Sequence, residues 1–189
     1  MTDDAGEPEE WTVIESVTEY ETPWYDGGYD LVRQPDGTEK RYYWASLPPA
    51  VVVVARTDGP EGPAGDELLF VEQYRPTVGE HHLELPAGIV EDGESYTAAA
   101  ARELEEETGF RPETTVLLEE YAVATGLLRH DRAVVYADGL VPGERALDTN
   151  EFLELRRVPV EDALDRAREA PANDATIDGL LLAKADGFL

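Results

Sequence analysis

Four side chains in the middle of the chain have a spacing that suits metal chemistry. Glu103 and Glu107 are four residues apart and Glu106 is three residues from Glu103, so a helix would bring their carboxylates to one face. Arg102 lies four residues before Glu106 and can pair with that carboxylate and orient it. Three carboxylates on one face repel one another unless they lie in solvent or around cations. The segment therefore predicts either a divalent-cation site or a solvated acidic face.

The same stretch contains the signals of the helix that this chemistry needs. Ser95 to Thr108 includes four consecutive alanines followed by Arg, Glu and Leu, and the pattern stops at Gly109. Glu94 precedes the predicted helix, where a carboxylate can meet free backbone N–H groups and the positive end of the helix dipole. Ala100 and Leu104 would supply a small apolar surface that packs on a sheet.

The composition limits which metals and which kinds of site are possible. The 189 residues contain no cysteine, which excludes disulfides, zinc–thiolate sites and a cysteine nucleophile. Any metal must then be held by oxygen or imidazole ligands, and carboxylates favour Mg²⁺ or Mn²⁺. Hydrophobic residues make up 42% of the chain, so we expect one folded domain, or one domain with an extension.

The net charge of −27 is unusual for a chain of this length. Such a surface repels nucleic acid and anionic membranes, so we expect no nucleic acid and no membrane as partner. A small anionic substrate remains possible where metals and a few arginines neutralise it. The acidity favours adaptation to a cytoplasm of high salt, and an ordinary, very soluble acidic protein is the alternative. A docking face for a basic protein is a third interpretation, but no patch in the sequence singles it out.

No part of the sequence has the pattern of a membrane segment or a secretion signal. The longest apolar run, Ala50 to Ala55, is far shorter than the roughly 20 residues that cross a bilayer, and it resembles a buried strand. Met1 to Glu10 is acidic and lacks the basic and then apolar order of a signal peptide. We therefore expect a cytoplasmic protein.

Residues 1–46 are predicted to form an acidic tail, disordered over residues 1–8, and a small β module. Trp11–Tyr20, Tyr29–Gln34 and Thr38–Trp44 are expected to be strands, the last two joined by a turn at Pro35-Asp36-Gly37. The module is rich in tryptophan and tyrosine. Most of these rings are expected to pack against the rest of the chain or against another subunit.

Residues 47–189 are predicted to form the main domain, an α/β (α+β) sandwich in which helices pack on a mixed β-sheet. The expected strands are Ala50–Arg56, Glu67–Tyr74, Leu83–Leu85, Val116–Thr125, Arg132–Ala137 and Phe152–Arg157. The expected helices besides the first are Val160–Glu169 and Ala175–Ala185. Thr57–Asp66 is expected to be a flexible hairpin loop, and Gly88 and Gly93 indicate another loop.

The segment from Gly88 to Phe110 resembles the Nudix box, Gly-x5-Glu-x7-Arg-Glu-apolar-x-Glu-Glu-x-Gly-apolar. It fits all nine constrained positions, including the two glycines and the arginine, which acidity alone would not place. The chain therefore resembles the Nudix hydrolases. Gln73-Tyr74-Arg75 and Leu83-Glu84-Leu85-Pro86-Ala87-Gly88 are similar to the stretch before the box in the ADP-ribose pyrophosphatase subgroup. The likeness runs from roughly Trp11 to Leu182, and the opening of the last helix at Asn173 is similar too.

The resemblance implies the Nudix fold, a mixed sheet sandwiched between helices with an N-terminal β extension, and a set of metal ligands. The backbone carbonyl of Ala87 and the side chains of Glu103 and Glu107 would hold Mg²⁺ or Mn²⁺, with Glu106 adjoining. Glu151 matches an acid that reaches the metals from a late loop.

The resemblance also implies residues that bind the substrate and a role for the β module. Arg41 and Arg75 would contact the phosphates or the terminal sugar, and Trp24 or Tyr25 could stack on the base. The N-terminal module is similar to the extension that these enzymes exchange between the subunits of a homodimer.

Two departures from the subgroup concern the substrate and the general base. Members that hydrolyse ADP-ribose usually carry a proline some fifteen residues after the box, whereas Ala122–Gly126 contains none. Thr149 stands where a glutamate often acts as the base. Glu151 is then the preferred base, with Asp148 or Glu106 as alternatives, because a carboxylate can accept a proton from water near neutral pH and a threonine hydroxyl cannot.

The three histidines, His81, His82 and His130, could in principle serve as bases. His81 and His82 lie just before a predicted strand, where a surface or structural position is the favoured interpretation.

The sequence as a whole predicts metal-assisted hydrolysis of the pyrophosphate of a nucleoside diphosphate derivative. Glu106, Glu107, Glu151 and Arg102 are the expected catalytic residues. The favoured substrate is ADP-ribose or another nucleoside diphosphate sugar, cleaved to AMP and a sugar phosphate. Dinucleoside polyphosphates, oxidised nucleotides and the role of a non-catalytic nucleotide sensor are the alternatives.

Overall fold

The computed structural model describes residues 11–59 and 62–189, and the tail predicted over residues 1–8 lies outside them. In chain order the elements are β1 Thr12–Glu21, β2 Asp26–Arg33, β3 Glu39–Ser46, β4 Ala50–Gly59, β5 Gly62–Arg75, β6 Glu80–Glu84, β7 Ala87–Ile89, α1 Tyr96–Thr108, β8 Phe110–Arg111, β9 Thr114–Ala122, β10 Leu128–Arg129, β11 Asp131–Asp138, β12 Val141–Pro142, β13 Leu153–Pro159, α2 Val160–Arg168 and α3 Asp174–Ala185. No helix within the described ranges is long and apolar enough to cross a membrane.

The chain divides into two compact units. The first comprises residues 11–48 and 122–130 of the described ranges, and the second comprises the remainder from residue 49 onward. The first unit is built on a sheet of order β1-β2-β3-β10, in which β1, β2 and β3 are antiparallel neighbours and β10 runs parallel to β3. The predicted turn between β2 and β3 forms at Gly37, whose positive φ of 82° suits glycine.

The second unit is built on a mixed sheet of order β13-β5-β4-β11-β9, to which β6 and β7 add beside β5 and β4. β11 is parallel to β4, whereas β5 is antiparallel to both β4 and β13. A two-stranded ribbon, β8 with β12, follows α1. The mixed sheet that the sequence predicted is therefore present.

Alternate residues of the central strand β4 face two separate cores. Val51 and Val53 pack with Ala100 and Leu104 of α1, whereas Val52 packs on the opposite face with α2 and α3. A strand whose two faces are both covered needs an apolar residue at every position, which explains the run of valines. The sheet thus lies between α1 on one face and α2 and α3 on the other.

Two predictions in this region were wrong. The segment Thr57–Asp66 is not a loop throughout, because β4 and β5 continue to pair as far as Gly59 opposite Gly62. The composition of the segment predicted a loop, but the backbones of β4 and β5 still pair on either side of residues 60 and 61, which lie outside the described ranges. The segment around Gly88 is also not simply a loop, since β7 pairs its three residues with Ala50–Val52 of β4.

Candidate active site

The helix α1 presents the predicted carboxylates because both of its ends are fixed as the sequence suggested. Ser95 is the N-cap and its hydroxyl accepts the N–H of Ala98, while Gly109 ends the helix in the left-handed conformation with φ 78°. Glu94 precedes the N-cap residue as expected, and its carboxylate accepts the N–H of Glu91 and pairs with Arg102. Glu103 and Glu107 are both buried, so this face of α1 is not a solvated acidic surface.

The strand β7 lies directly against these two carboxylates. The N–H of Ala87 donates a 3.2 Å hydrogen bond to Oε2 of Glu107. A Cβ atom at Gly88 would lie 1.9 Å from Cδ of Glu103, so only glycine leaves room for that side chain. The box glycine and the box glutamates are therefore complementary parts of one packing arrangement.

Arg102 ties the glutamates of the box together. Its Nη1 donates to Oε1 of Glu103 at 2.8 Å and to Oε2 of Glu106 at 3.0 Å, which is the i,i+4 pair that the sequence predicted. Its other nitrogens bond to Glu94 and to the carbonyl of Ile89. Arg102 therefore orients the side chains of α1 relative to the loop that precedes the helix.

Burial and mutual repulsion raise the pKa values of the two buried carboxyls. Burial raises the pKa of Glu107 to about 8, and the negative charges of Glu103 and Glu151 add to this effect. Burial also raises the pKa of Glu103, although Arg102 acts in the opposite direction. The nearby cationic side chains therefore do not fully offset the cost of ionising these two carboxyls in the absence of a metal.

Glu151, in the loop before β13, interacts electrostatically with the two buried carboxyls. Its negative charge is one of the smaller contributions that raise the pKa of both Glu103 and Glu107. The carboxylate of Glu151 accepts the N–H of Asp148 at 3.0 Å. This bond lies within the turn formed by residues 148–151. Thr149 lies within that turn and is exposed.

Arg75, the predicted phosphate contact, stands at the end of β5 beside this cluster. It forms an ion pair with the buried carboxylate of Glu84 on β6. Burial lowers the pKa of Arg75, but the bond to Glu84 and the charges of Glu107 and Glu151 raise it overall. Its guanidinium is thus held at the site with its positive charge maintained.

The chemistry of the donor set fits a hard divalent cation. Glu103, Glu107 and Glu151 offer carboxylate oxygens, and a cation would relieve the repulsion that raises the pKa values of the two buried groups. Across residues 11–59 and 62–189, no three acidic or histidine side chains are already gathered around a common point. Arg102 holds Glu103 and Glu106, and Glu151 bonds within its own turn, so these side chains would have to reorient around a cation.

Arg41, Trp24 and Tyr25 belong to the first compact unit. Arg41 is exposed on β3, with its guanidinium 4.5 Å from the ring centre of Tyr29. Trp24 and Tyr25 occupy the turn between β1 and β2 and both side chains are exposed. These residues have the exposure that a ligand contact requires.

The histidines occupy three different environments. His81 is exposed with its ring 5.2 Å from that of Tyr74, while His82, the next residue on β6, is buried. Nδ1 of His130 lies 2.8 Å from the carbonyl oxygen of Pro48 within the first unit. His130 thus has a structural contact.

Two residues that position the site were not found from the sequence. Arg145 donates to the carbonyl of Glu107 at 2.7 Å and to that of Leu153 at 2.8 Å, so it joins the end of α1 to the start of β13. The hydroxyl of Thr176 on α3 accepts the N–H of Leu85 at 3.2 Å. No local pattern predicts either bond, because the partners are far apart in the sequence.

Comparisons with known proteins agree with this geometry. The NUDIX domain family profile matches residues 46–180. The "ADP-ribose pyrophosphatase" of Bacillus subtilis is 33% identical over 146 residues, which is 76% of each chain. The "Methanol dehydrogenase activator" of Bacillus methanolicus is 33% identical over 148 residues, 77% of each chain. A solved structure titled "Crystal structure of ADP compounds hydrolase" superposes with a TM-score of 0.80, covering 98% of this chain and 100% of that one. At 22% identity, that likeness shows the fold, and it confirms the predicted sandwich.

Proposed function

The chain belongs to the NUDIX family, and on that premise we propose that it splits the pyrophosphate of a nucleoside diphosphate sugar, ADP-ribose foremost. As a Nudix hydrolase it is an enzyme that acts on pyrophosphate bonds. The observation that carries the proposal is the pair of buried box carboxylates, Glu103 and Glu107, packed against Ala87 and Gly88. With ADP-ribose the products would be AMP and ribose 5-phosphate.

The proposed cofactor is Mg²⁺, with Mn²⁺ as the alternative. The carbonyl of Ala87 and the side chains of Glu103, Glu106, Glu107 and Glu151 would hold it. When bound, the cations supply positive charge that neutralises the pyrophosphate and lowers the pKa of water.

The remaining polar residues of the site would bind the substrate and place the carboxylates. Arg75, held by Glu84, would contact the phosphates or the terminal sugar, and Arg41 would add a second guanidinium. Trp24 or Tyr25 would stack on the base. Arg102 would act as a positioning residue, since its guanidinium is already committed to Glu94, Glu103 and Glu106.

Glu151 is the proposed general base. It would accept the proton of the attacking water after leaving its bond to the N–H of Asp148, and Glu106 is the alternative on α1. No covalent intermediate with the protein is needed.

The names of the relatives support the sugar class of substrate over dinucleoside polyphosphates and oxidised nucleotides. A nucleotide sensor built on this fold would be expected to lose a box carboxylate, whereas all of them are retained here. The missing proline and Thr149 are departures within the enzyme class, and they concern the identity of the substrate and of the general base.

A panel of nucleoside diphosphate compounds, assayed with Mg²⁺ in both low and molar salt, tests the proposal. ADP-ribose or another nucleoside diphosphate sugar should give the highest kcat/KM. A higher value for a dinucleoside polyphosphate or an oxidised nucleotide would reassign the substrate. Tight nucleotide binding without any hydrolysis would favour the sensor.

We further propose that the chain works as a homodimer in a cytoplasm of high salt. Residues 1–46 would serve dimerisation and substrate contact, and residues 47–189 would form the hydrolase domain. The support is the exposed apolar surface of the first unit, which includes Trp11, Val13 and Tyr43. Light scattering in high salt should give twice the mass of one chain, and a monomer at micromolar concentration would remove the dimer.

A further inference from the structure

A short bend joins β6 to β7 and leads directly into the proposed active site. Leu85 and Pro86 form this bend, between Glu84 at the end of β6 and Ala87 at the start of β7. The bend moves the chain from the side of β5 to the side of β4. The position of Ala87 matters because its N–H bonds to Glu107 and its carbonyl is a proposed metal ligand.

Two backbone groups of the bend bond to other parts of the second unit. The carbonyl of Pro86 accepts the N–H of Val53 at 2.8 Å. The N–H of Leu85, just beyond the end of β6, donates to the hydroxyl of Thr176 on α3 at 3.2 Å. Leu85 and Thr176 are each only 1% exposed, and a buried N–H needs a partner within the protein. Thr176 therefore holds the backbone of Leu85 in a place that water does not reach.

Gly179 brings the same face of α3 close to the bend. It follows Thr176 by three residues, so the two share one side of the helix. A Cβ atom at Gly179 would lie 2.9 Å from Cδ1 of Leu85 and 3.5 Å from Cγ1 of Val52. Val52 is the residue of β4 that pairs with Ala87. α3 thus packs closely on the residue two positions before Ala87 and on the residue opposite it.

Ala87 lies between the two helices that cover opposite faces of the sheet. Its side chain packs in the core that includes Leu180 of α3, whereas its N–H bonds to the carboxylate of Glu107 on α1. At 3.2 Å that bond is at the long end of the range for an N–H donor and an oxygen acceptor, so a small displacement of β7 would break it. The contacts of α3 with the bend therefore affect the spacing between Ala87 and Glu107.

We propose that Thr176 and Gly179 are positioning residues for the hydrolysis, which hold Ala87 in place beside Glu107 from the opposite face of the sheet. The inference rests on the proposed function, because the carbonyl of Ala87 is a metal ligand only within it. The hydroxyl of Thr176 acts through Leu85 and meets neither the substrate nor the metal. Groups that orient metal ligands in this way typically change metal affinity or activity by about ten- to a hundredfold.

Amide hydrogen exchange of the metal-free protein, followed by NMR, tests the contact itself. Thr176→Val keeps the shape of the side chain but removes the hydroxyl, whereas Thr176→Ser keeps the hydroxyl. The amides of Leu85 and Ala87 should exchange about tenfold faster in Thr176→Val, because one has lost its acceptor and the other its support. Thr176→Ser should resemble the wild type. The amide of Val135, in the buried strand β11, is the internal reference.

Mn²⁺ titration followed by electron paramagnetic resonance, and kinetics with ADP-ribose and Mg²⁺, test the effect on the site. Thr176→Val should lower both the Mn²⁺ affinity and kcat about tenfold. KM should stay within about twofold, because Thr176 does not touch the substrate. Gly179→Ala should also lower the Mn²⁺ affinity and kcat, since its Cβ displaces Leu85, even though alanine favours a helix more than glycine does.

Leu182→Ala is the control for general loosening of α3, because Leu182 lines a cavity beside Tyr121. It should lower the melting temperature but keep the Mn²⁺ affinity and kcat of the wild type.

Unchanged exchange of Leu85 and Ala87 in Thr176→Val would overturn the inference. So would wild-type Mn²⁺ affinity and kcat in that variant, an equal loss of both in Leu182→Ala, or a wild type that binds no Mn²⁺. A wild type that binds Mn²⁺ but hydrolyses no nucleoside diphosphate compound would instead reject the proposed function. Exchange and Mn²⁺ affinity would then still decide whether α3 positions Ala87.

Discussion

Gly88 and Glu103 are so close that a methyl group at position 88 would overlap the carboxylate of Glu103. The Cβ would lie 1.9 Å from Cδ and 2.1 Å from Oε1 of that side chain. We therefore expect Gly88→Ala to fold, because the flexible end of Glu103 can move, but to lose about a hundredfold in kcat/KM with Mg²⁺, as misplaced catalytic groups do. Kinetics and circular dichroism of the variant measure both effects.

Gly126→Ala is the control for this variant, because nothing lies within 4 Å of the added Cβ and the φ of Gly126 is outside the left-handed region. Wild-type kinetics in Gly88→Ala would mean that the position of Glu103 does not matter for turnover.

Glu107→Gln is expected to retain the fold and lose nearly all turnover. The amide keeps an oxygen that can accept the N–H of Ala87, but it removes one negative charge from the proposed ligand set. Losing a charged ligand should cost several kcal/mol of transition-state stabilisation. Glu119→Gln, which changes an exposed residue of β9, is the control. If Glu107→Gln had a kcat close to that of this control at saturating Mg²⁺, Glu107 would not be a metal ligand.

Without metal, the same substitution should stabilise the protein at neutral pH. The pKa of Glu107 is raised from 4.5 to about 8 in the folded state, so the unfolded chain releases the proton first as the pH rises. Stability contributed by protonated Glu107 is complete below pH 4.5 and is lost as the pH rises to about 8. Thermal melts in EDTA should show that the melting temperature of Glu107→Gln increasingly exceeds that of the wild type as the pH rises through this window. Glu119→Gln should show no such increase. Parallel curves for Glu107→Gln and the wild type would contradict the raised pKa.

The outcome for α1 and β7 shows which parts of the site could be predicted from sequence. The helix was predicted correctly because Ser95 and Gly109 act on their immediate neighbours. β7 was missed because its three residues gain their conformation from β4, more than thirty positions earlier. The bonds of Arg145 and Thr176 connect residues 38 and 91 positions apart, and only the folded chain brings these partners together.

The net charge of −27 predicts a rise in melting temperature from dilute to molar potassium chloride. Salt screens the repulsion between carboxylates, which is stronger in the compact folded state than in the unfolded chain. A potassium chloride series followed by circular dichroism measures the effect. A melting temperature that stays level or falls would remove the support for adaptation to high salt.

The last prediction concerns Glu151, whose carboxylate accepts the N–H of Asp148 while its charge acts on Glu103 and Glu107. If Glu151 is the base, Glu151→Gln should lower kcat by at least about a hundredfold, the usual lower bound for the loss of a general base. Asp148→Asn should cost much less, because the backbone N–H of Asp148, not its carboxylate, meets Glu151. Thr149→Glu, which adds an acid to the same turn, is expected to raise activity towards ADP-ribose. The measurement is kcat across pH at saturating Mg²⁺ for all three variants and for Glu106→Gln. An inactive Glu106→Gln beside a nearly normal Glu151→Gln would place the base on α1, where Arg102 already holds the carboxylate of Glu106 at 3.0 Å.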